Sequence, residues 1–203
     1  MIARAYSGAI DLGARLAAAA GLTPNQITLL GLAFGLAACA LWLWAGNPFL
    51  FAALLLAGGY FDALDGAVAR RLNRQTLWGG YLDALCDRVF DSAVLFSLAW
   101  KTSHWAVCML ALAGAYSVSY AKARAALEVP VSNLGWPHLM GREERIIGLA
   151  LTLVLWGSFP DFRPAGRDLF VWCLALMTAG MFLTAGLRFL HARQLILKNS
   201  SPH

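Results

Sequence analysis

The stretch DALDGAVARRLNRQTLWGGYLDALCD, residues 62–87, decides how this chain folds. Asp62 and Asp65 are spaced i, i+3, and Asp83 and Asp87 are spaced i, i+4, so each pair lies on one face of a helix. The residues between the pairs form a short basic connection, which makes the two helices antiparallel neighbours. The sequence therefore predicts that four carboxylates converge at one end of a helical hairpin.

These aspartates stand in or beside apolar runs, where ionised side chains are costly and are usually functional. Four uncompensated carboxylates at one point would repel each other strongly. Hard oxygen ligands clustered in this way suit Mg²⁺ or Mn²⁺. We therefore predict a divalent metal site formed by Asp62, Asp65, Asp83 and Asp87, and the alternative is a set of helix-end aspartates paired with arginines. Asp91, one turn after Asp87, is expected to pair with Arg88.

Glycines accompany the aspartates, and they favour a phosphate ligand. Gly66 follows Asp65 directly, and Gly79 and Gly80 precede Asp83. Glycine inside a helix costs about 1 kcal/mol relative to alanine, so its use here suggests that a bulky group approaches the backbone. Arg70, one turn after Gly66, is a natural phosphate partner. Together these residue types predict a diphosphate site.

The composition of the whole chain points to a lipid environment. Of 203 residues, 60% are hydrophobic and 13% are charged, and the mean hydropathy is +0.62. An ordinary soluble domain carries about 25% charged residues, so disordered, fibrous and ordinary soluble proteins are excluded. The net charge of +5 fits cytoplasmic loops and anionic lipid headgroups. No basic and aromatic groove for nucleic acid is present, and the four isolated cysteines suggest neither disulfides nor zinc.

Apolar segments predict an all-α integral membrane protein with six transmembrane helices. We expect a single domain over residues 1–203, with the six-helix bundle over 24–197. Residues 2–20 are interrupted by charges, as a signal peptide would not be, and predict an amphipathic helix lying along the membrane interface. The six expected spans are 27–46, 47–61 running on to Asp65, 78–100, 104–121, 146–160 and 169–187.

The basic residues alternate between the two ends of these spans. Twelve of them fall at one set of ends and three, Lys101, Arg163 and Arg167, at the other. The positive-inside rule then places both termini and the carboxylate cluster on the cytoplasmic side of the cell (plasma or inner) membrane. Gly31 and Gly35 form a G-x-x-x-G pattern in the first span, which favours close helix packing over a dimer face.

The quoted stretch resembles the signature of the CDP-alcohol phosphotransferases, D-x2-D-G-x2-A-R-x8-G-x3-D-x3-D, and meets every fixed position of it. The family's six-helix fold fits nearly the whole chain, and residues 23–28 look like its element before the first helix. The resemblance implies that a CDP-linked lipid donates its phosphatidyl-type group to an alcohol and releases CMP. It implies that Asp62, Asp65 and Asp83 bind the metals with Asp87 close by, and that Asp87 is the general base. It places the CDP part on Gly66, Arg70 and Thr76, with Asn25 and Thr28 nearby.

A second polar group lies further along the chain. Ser119 and Lys122 share one helix face, and with Arg145 and Arg188 they predict a cationic pocket for a phosphate on the acceptor. The alternative is that these basic groups only snorkel to the membrane surface. The stretches S-Y-x-K-A-R-A and L-R-F-L-H-A-R resemble the phosphatidylinositol-phosphate and archaetidylinositol-phosphate synthase branch. That resemblance implies inositol 1-phosphate as acceptor, although the preceding loop with Trp136 is longer than usual.

Three alternatives stay open at this point. Within the same class the acceptor could be glycerol 3-phosphate. A UbiA-type prenyltransferase also uses aspartates and Mg²⁺, but its first motif is N-D-x-x-D, and here Phe61 precedes Asp62. A transporter would use intramembrane carboxylates for ion coupling. The expected partners are a CDP-lipid, a polar alcohol and membrane lipids, and the resemblance leaves a homodimer open.

Overall fold

A computed structural model of the protein describes residues 2–129 and 135–200. Within these ranges the chain forms seven α-helices and no β-strand, which confirms the all-α prediction. All four cysteines are free, as expected. The helices are α1 (Ile2–Ala19), α2 (Pro24–Ala45), α3 (Pro48–Arg71), α4 (Leu77–Thr102), α5 (Trp105–Glu128), α6 (Arg142–Ser158) and α7 (Leu169–Ser200), and a 3₁₀ turn at Pro164–Gly166 precedes α7.

Four of the described helices are long and apolar enough to cross a membrane, namely α2, α3, α5 and α7. The other two predicted spans differ for separate reasons. α4 carries Asp83, Asp87, Arg88 and Asp91 within three turns. α6 has 17 residues, which at 1.5 Å per residue reach about 26 Å, short of the ~30 Å hydrocarbon layer. The helices themselves are apolar enough to identify a membrane protein.

Helix ends extend beyond the apolar runs from which they were predicted. α5 continues seven residues past Ala121 to Glu128, and α7 continues past Leu187 to Ser200. Residues 122–128 are mostly strong helix formers, and Arg124 pairs with Glu128 one turn on. At the other end of the chain, residues 23–28 begin α2 rather than preceding it, since Thr23 and Gln26 form a capping box.

Two compact units make up the chain, Met1–Ser97 and Leu98–His203. In the first unit, α2 and α3 form a hairpin through Gly46, which is left-handed, and Asn47, which caps α3. Near this turn the Trp42 ring stacks on Phe51, with centroids 5.1 Å apart, and the Trp42 indole N–H donates to the Ser97 carbonyl. α1 packs against α3, where the Tyr60 hydroxyl donates to the Ala9 carbonyl.

Gly31 and Gly35 face other helices of the same unit. A Cβ atom at Gly31 would lie 2.9 Å from the Cβ of Phe61 on α3, and one at Gly35 would lie 2.4 Å from the Phe90 ring on α4. This spacing confirms close helix packing as the role of the G-x-x-x-G pattern. It also means that a larger side chain at either position would collide with a neighbouring helix.

The connection between α3 and α4 is a Schellman turn. Asn73 has a left-handed backbone, with φ of 51°, and its N–H donates to the Arg70 carbonyl. The Arg74 N–H donates to the Ala69 carbonyl at 2.9 Å, which completes the motif. Thr76 then accepts a hydrogen bond from the Gly79 N–H in the first turn of α4. These local bonds reverse the chain over five residues and bring the acidic parts of both helices to one level.

The second unit contains α5, α6 and α7. α5 and α7 pack closely where Gly114 meets Met181, and α6 contacts α7 where the Thr152 hydroxyl lies 3.6 Å from the Met177 sulfur. At one end of this unit, His104 lies 2.9 Å from the Asp168 carboxylate, so the chain before α5 is joined to the chain before α7.

Candidate active site

Three carboxylates from α3 and α4 lie close together. Asp62 of α3 and Asp83 and Asp87 of α4 each offer one oxygen, and these oxygens lie within 4.8 Å of one another. All three side chains are half-buried. Oxygens that share one octahedral Mg²⁺, with bonds of about 2.1 Å, lie at most about 4.2 Å apart. Small side-chain rotations would therefore close the group around a cation, and the donor set fits Mg²⁺ or Mn²⁺.

Asp65 lies one turn beyond Asp62 on α3 and outside this three-carboxylate group. It is only 8% exposed, and its carboxylate accepts a hydrogen bond of 2.6 Å from the Thr28 hydroxyl of α2. A buried carboxylate needs such a partner because an unpaired one would lose the hydration of its charge. The structure thus places Asp65 beside the group, and its role as a metal ligand stays a prediction.

Arg88 and Asp91 form the ion pair that the sequence predicted. The guanidinium of Arg88 lies 3.2 Å from the Asp91 carboxylate and 3.9 Å from that of Asp87. Arg88 thus bridges two aspartates on successive turns of α4. Asp91 is therefore engaged in the helix, whereas Asp87 contributes an oxygen to the three-carboxylate group.

A cavity of about 210 Å³ opens beside these carboxylates within the first unit. Both Asp65 and Asp83 line it, so the cavity and the three-carboxylate group share Asp83. All five residues that the family resemblance assigned to the CDP part also line the cavity, namely Asn25, Thr28, Gly66, Arg70 and Thr76. Residues from α2, α3, α4 and the α3–α4 turn thus surround one cavity.

Two glycines keep the walls of this cavity close together. A Cβ at Gly66 would lie 3.3 Å from a guanidinium nitrogen of Arg70, whose side chain passes over it. A Cβ at Gly79 would lie 3.1 Å from the Thr76 hydroxyl and 3.2 Å from the Asn25 amide oxygen. Glycine at position 79 therefore allows Asn25 of α2 to approach the start of α4.

Sequence reasoning missed two further residues of the cavity wall, Arg74 and Gln75. Both lie in the eight-residue spacer of the motif, where no residue type is fixed. A cluster of three arginines at 70, 71 and 74 was visible, but nothing in the sequence singled out Arg74 as the one that faces the cavity with Arg70.

The residues predicted to form a cationic pocket for the acceptor's phosphate lie in the second unit. Arg145 at the start of α6 is 4% exposed, and Arg188 of α7 is 7% exposed. Arg188 interacts electrostatically with Arg145 and with Lys122 of α5, and Glu144 offsets part of this repulsion. Ser119 lies one turn before Lys122 and is half-buried. Buried positive charges of this kind are stabilised by an anion, so the group can receive a phosphate.

Known proteins resemble this chain over much of its length. Residues 21–185 match the family model described as CDP-alcohol phosphatidyltransferase. The archaetidylinositol phosphate synthase of Pyrococcus horikoshii is 40% identical over 111 residues, which span 54% of this chain and 58% of that protein. The phosphatidylinositol phosphate synthase of Mycobacteroides abscessus is 33% identical over 163 residues, which span 77% of this chain and 73% of that protein.

A solved protein shares the fold. The crystal structure of Mycobacterium tuberculosis phosphatidylinositol phosphate synthase with CDP-DAG bound superposes with a TM-score of 0.74 and 28% identity, covering 90% of this chain and 92% of that one. The structure of the same enzyme in complex with manganese and citrate gives a TM-score of 0.76 and 27% identity, covering 94% and 91%.

Proposed function

The chain belongs to the CDP-alcohol phosphatidyltransferase family, and we propose that it transfers the phosphatidyl-type group of a CDP-linked lipid to a hydroxyl of inositol 1-phosphate. The observation that carries this proposal is the position of Asp83, which belongs to the three-carboxylate group and also lines the cavity. A diphosphate held in that cavity would lie next to the oxygens that bind a cation. The names of the two relatives, both inositol phosphate lipid synthases, support the choice of acceptor.

Asp62, Asp83 and Asp87 would hold Mg²⁺ or Mn²⁺, and Asp65 would be the fourth carboxylate beside them. The manganese in the Mycobacterium tuberculosis structure supports a divalent ion. When bound, the cation stabilises the negative charge that develops on the diphosphate as CMP leaves. Thr28 holds Asp65 in place from α2.

The cavity wall suits the CDP half of the donor. Arg70, together with Arg74, would pair with the diphosphate, because guanidinium groups bind phosphate oxygens with two parallel hydrogen bonds. Asn25, Thr28 and Thr76 offer neutral hydrogen-bonding groups for the nucleotide. Gly66 leaves space for the Arg70 side chain to cross the α3 backbone.

Asp83 and Asp87 would be the catalytic pair, with Asp87 as general base. The acceptor oxygen forms a bond to the lipid-side phosphorus, and the bond from that phosphorus to the CMP oxygen breaks. The hydroxyl proton passes to the Asp87 carboxylate, because an alcohol is a poor nucleophile until its proton is removed. Arg88, 3.9 Å away, limits the movement of that carboxylate.

The acceptor's phosphate would bind to Ser119, Lys122, Arg145 and Arg188 of the second unit. Two of these are arginines with less than a tenth of their surface exposed, which favours a bound anion over simple snorkelling to the membrane surface. An acceptor without a phosphate could not make these charge-assisted contacts, so it would bind less tightly.

We also propose that α2 to α7 all cross the membrane, as one domain with both termini in the cytoplasm, and that α1 lies along the interface. The charges of α4 would then line the polar site instead of facing lipid. Exposed apolar side chains such as Trp44, Leu127 and Leu176 would contact lipid. A homodimer stays a prediction. Because the chain belongs to the CDP-alcohol phosphatidyltransferase family, the two other classes considered, a UbiA-type prenyltransferase and an ion-coupled transporter, are not supported.

The test is an acceptor screen with purified protein, Mg²⁺ and labelled CDP-diacylglycerol. We expect labelled phospholipid and CMP with inositol 1-phosphate, and little of either with unphosphorylated inositol. Arg188→Gln should remove this preference for the phosphorylated acceptor, while Arg193→Gln, an exposed arginine of the same helix, should keep it. Product from glycerol 3-phosphate but not from inositol 1-phosphate would show that glycerol 3-phosphate is the acceptor.

A further inference from the structure

The segment that precedes α6 runs along α7 in the second unit. Trp136 packs against Ala192, the Pro137 carbonyl accepts a hydrogen bond from Arg188, and the Met140 side chain lies 3.1 Å from the position of a Cβ at Gly180. Successive residues of the segment thus meet α7 at positions 192, 188 and 180. We call residues 135–140 the strap.

Trp136 anchors the strap. It is 3% exposed and packs in a cluster with Ala125 of α5 and Ala192 and Leu195 of α7. Its ring also meets the His191 ring edge-on, with centroids 5.1 Å apart. The two alanines leave room for the indole, and a buried tryptophan contributes one of the largest apolar areas that a side chain offers. This packing anchors the strap immediately before Pro137.

The strap fixes the guanidinium of Arg188. Its Nε donates to the Pro137 carbonyl at 3.0 Å, and its Nη1 donates to the Val118 carbonyl of α5 at 2.7 Å. Two carbonyls on opposite elements define the plane of the group. A guanidinium has five N–H donors, and each of these two bonds uses one of them. Without the Pro137 carbonyl, Arg188 would lose one of the two bonds that orient it.

We infer that Trp136 is a positioning residue for the acceptor's phosphate, because its burial between α5 and α7 fixes the Pro137 carbonyl and thereby orients Arg188. This inference rests on the proposed function, in which Arg188 binds that phosphate. A flexible guanidinium would have to be ordered at each binding event, and a displaced one would contact the phosphate poorly. The strap would therefore set affinity for the acceptor and leave the donor site unchanged.

The first test compares Trp136→Ala with the wild type. We expect the KM for inositol 1-phosphate to rise about tenfold, with kcat and the KM for CDP-diacylglycerol unchanged within about twofold. Trp44→Ala is the matched control, since Trp44 is an exposed tryptophan of α2. In an Arg188→Gln background, Trp136→Ala should add almost nothing, because the group that it positions is gone. Independent, additive effects of the two substitutions would overturn the inference.

A second experiment tests the inference even if Trp136→Ala folds poorly or if inositol 1-phosphate is not the acceptor. Leu195→Ala shortens a side chain that packs in the Trp136 cluster but leaves the indole ring in place. It should raise the KM for inositol 1-phosphate by a smaller factor than Trp136→Ala does. Inorganic phosphate should raise the unfolding temperature of the wild type, and Trp136→Ala and Arg188→Gln should lose this shift to a similar extent. If the wild type makes no lipid from inositol 1-phosphate, the proposed function fails. The shift in unfolding temperature with inorganic phosphate still tests whether Trp136 positions Arg188. A full phosphate shift in Trp136→Ala or in Leu195→Ala would overturn it.

Discussion

The Thr28 hydroxyl donates a hydrogen bond of 2.6 Å to the Asp65 carboxylate, although the two residues are 37 positions apart in the chain. The bond joins the first turns of α2 to α3 at the edge of the cavity. Because Asp65 is buried, it orients an acidic side chain beside the three-carboxylate group. Thr28 would thus serve both the nucleotide and the carboxylates.

Thr28→Val keeps the shape of the side chain and removes this hydrogen bond. A hydrogen bond to a charged group contributes about 1.5–3 kcal/mol, so we expect kcat/KM for CDP-diacylglycerol to fall about ten- to hundredfold at saturating acceptor. Steady-state kinetics with purified protein will measure this change. Thr28→Ser should restore most of the loss, and equal activity of the valine and serine variants would contradict the role given to the bond.

Asp87→Asn should abolish CMP release. The amide cannot accept the hydroxyl proton, and general bases contribute about 10²–10⁴-fold to rates. The variant should stay folded, with metal binding largely intact, because asparagine has the same shape and keeps one oxygen ligand. Labelled CMP release and the unfolding temperature will be measured in parallel, and full activity would remove the proposed base.

Removal of divalent metal should stop the reaction and lower stability. EDTA should abolish product formation, and Mg²⁺ or Mn²⁺ should restore it. At a free metal concentration about 100 times the Kd, binding to the folded state alone adds about 2.7 kcal/mol to the free energy of unfolding. Asp62→Asn should lose most of this stabilisation, whereas Asp11→Asn, an exposed aspartate of α1, should retain it. Metal-dependent stabilisation of equal size in both variants would place the ion elsewhere.

Gly79→Ala should weaken donor binding. The added Cβ would lie 3.1 Å from the Thr76 hydroxyl and 3.2 Å from the Asn25 oxygen, so both walls of the cavity must move by a few tenths of an ångström. We expect the KM for CDP-diacylglycerol to rise about tenfold, with little change in acceptor KM. Gly58→Ala on α3, where the nearest atom would be 3.7 Å away, is the control. Similar kinetics for the two variants would show that the space at Gly79 is not needed.

Gly35→Ala should destabilise the first unit. The new Cβ would lie 2.4 Å from the buried Phe90 ring, and overpacking of this kind costs about 1–3 kcal/mol. The helix propensity of alanine recovers about 1 kcal/mol of that cost. Gly186→Ala, which has no heavy atom within 4 Å, should instead raise stability. The unfolding temperatures of the two variants should therefore shift in opposite directions.

The sequence predicted the α3–α4 hairpin and its acidic faces because helical periodicity and charge placement are local properties. It could not separate Asp65 from the other three aspartates, since the Thr28 bond that distinguishes it depends on how α2 packs. The cavity residues came from the family motif, and for that reason Arg74, which lies in its spacer, was missed. Helix ends such as Glu128 were missed because polar residues with high helix propensity continue a helix after its apolar run stops.

The contacts of the strap could not be predicted from the sequence. Arg188 was predicted to bind the acceptor's phosphate, but its hydrogen bond to Pro137 spans 51 positions and uses a backbone carbonyl. No side-chain pattern marks such a carbonyl. Trp136 was visible only as part of a long loop, and its burial became evident once α5 and α7 were placed around it.

The turn at Asn73 also limits how this enzyme can evolve. Each residue of an α-helix advances about 100° around its axis. If one residue were added to the start of α4, while the cap at the end of α3 stayed fixed, Asp83 and Asp87 would swing away from Asp62. We therefore expect insertions and deletions within these five residues to abolish activity, because the length of the turn sets how the acidic side chains of the two helices are aligned.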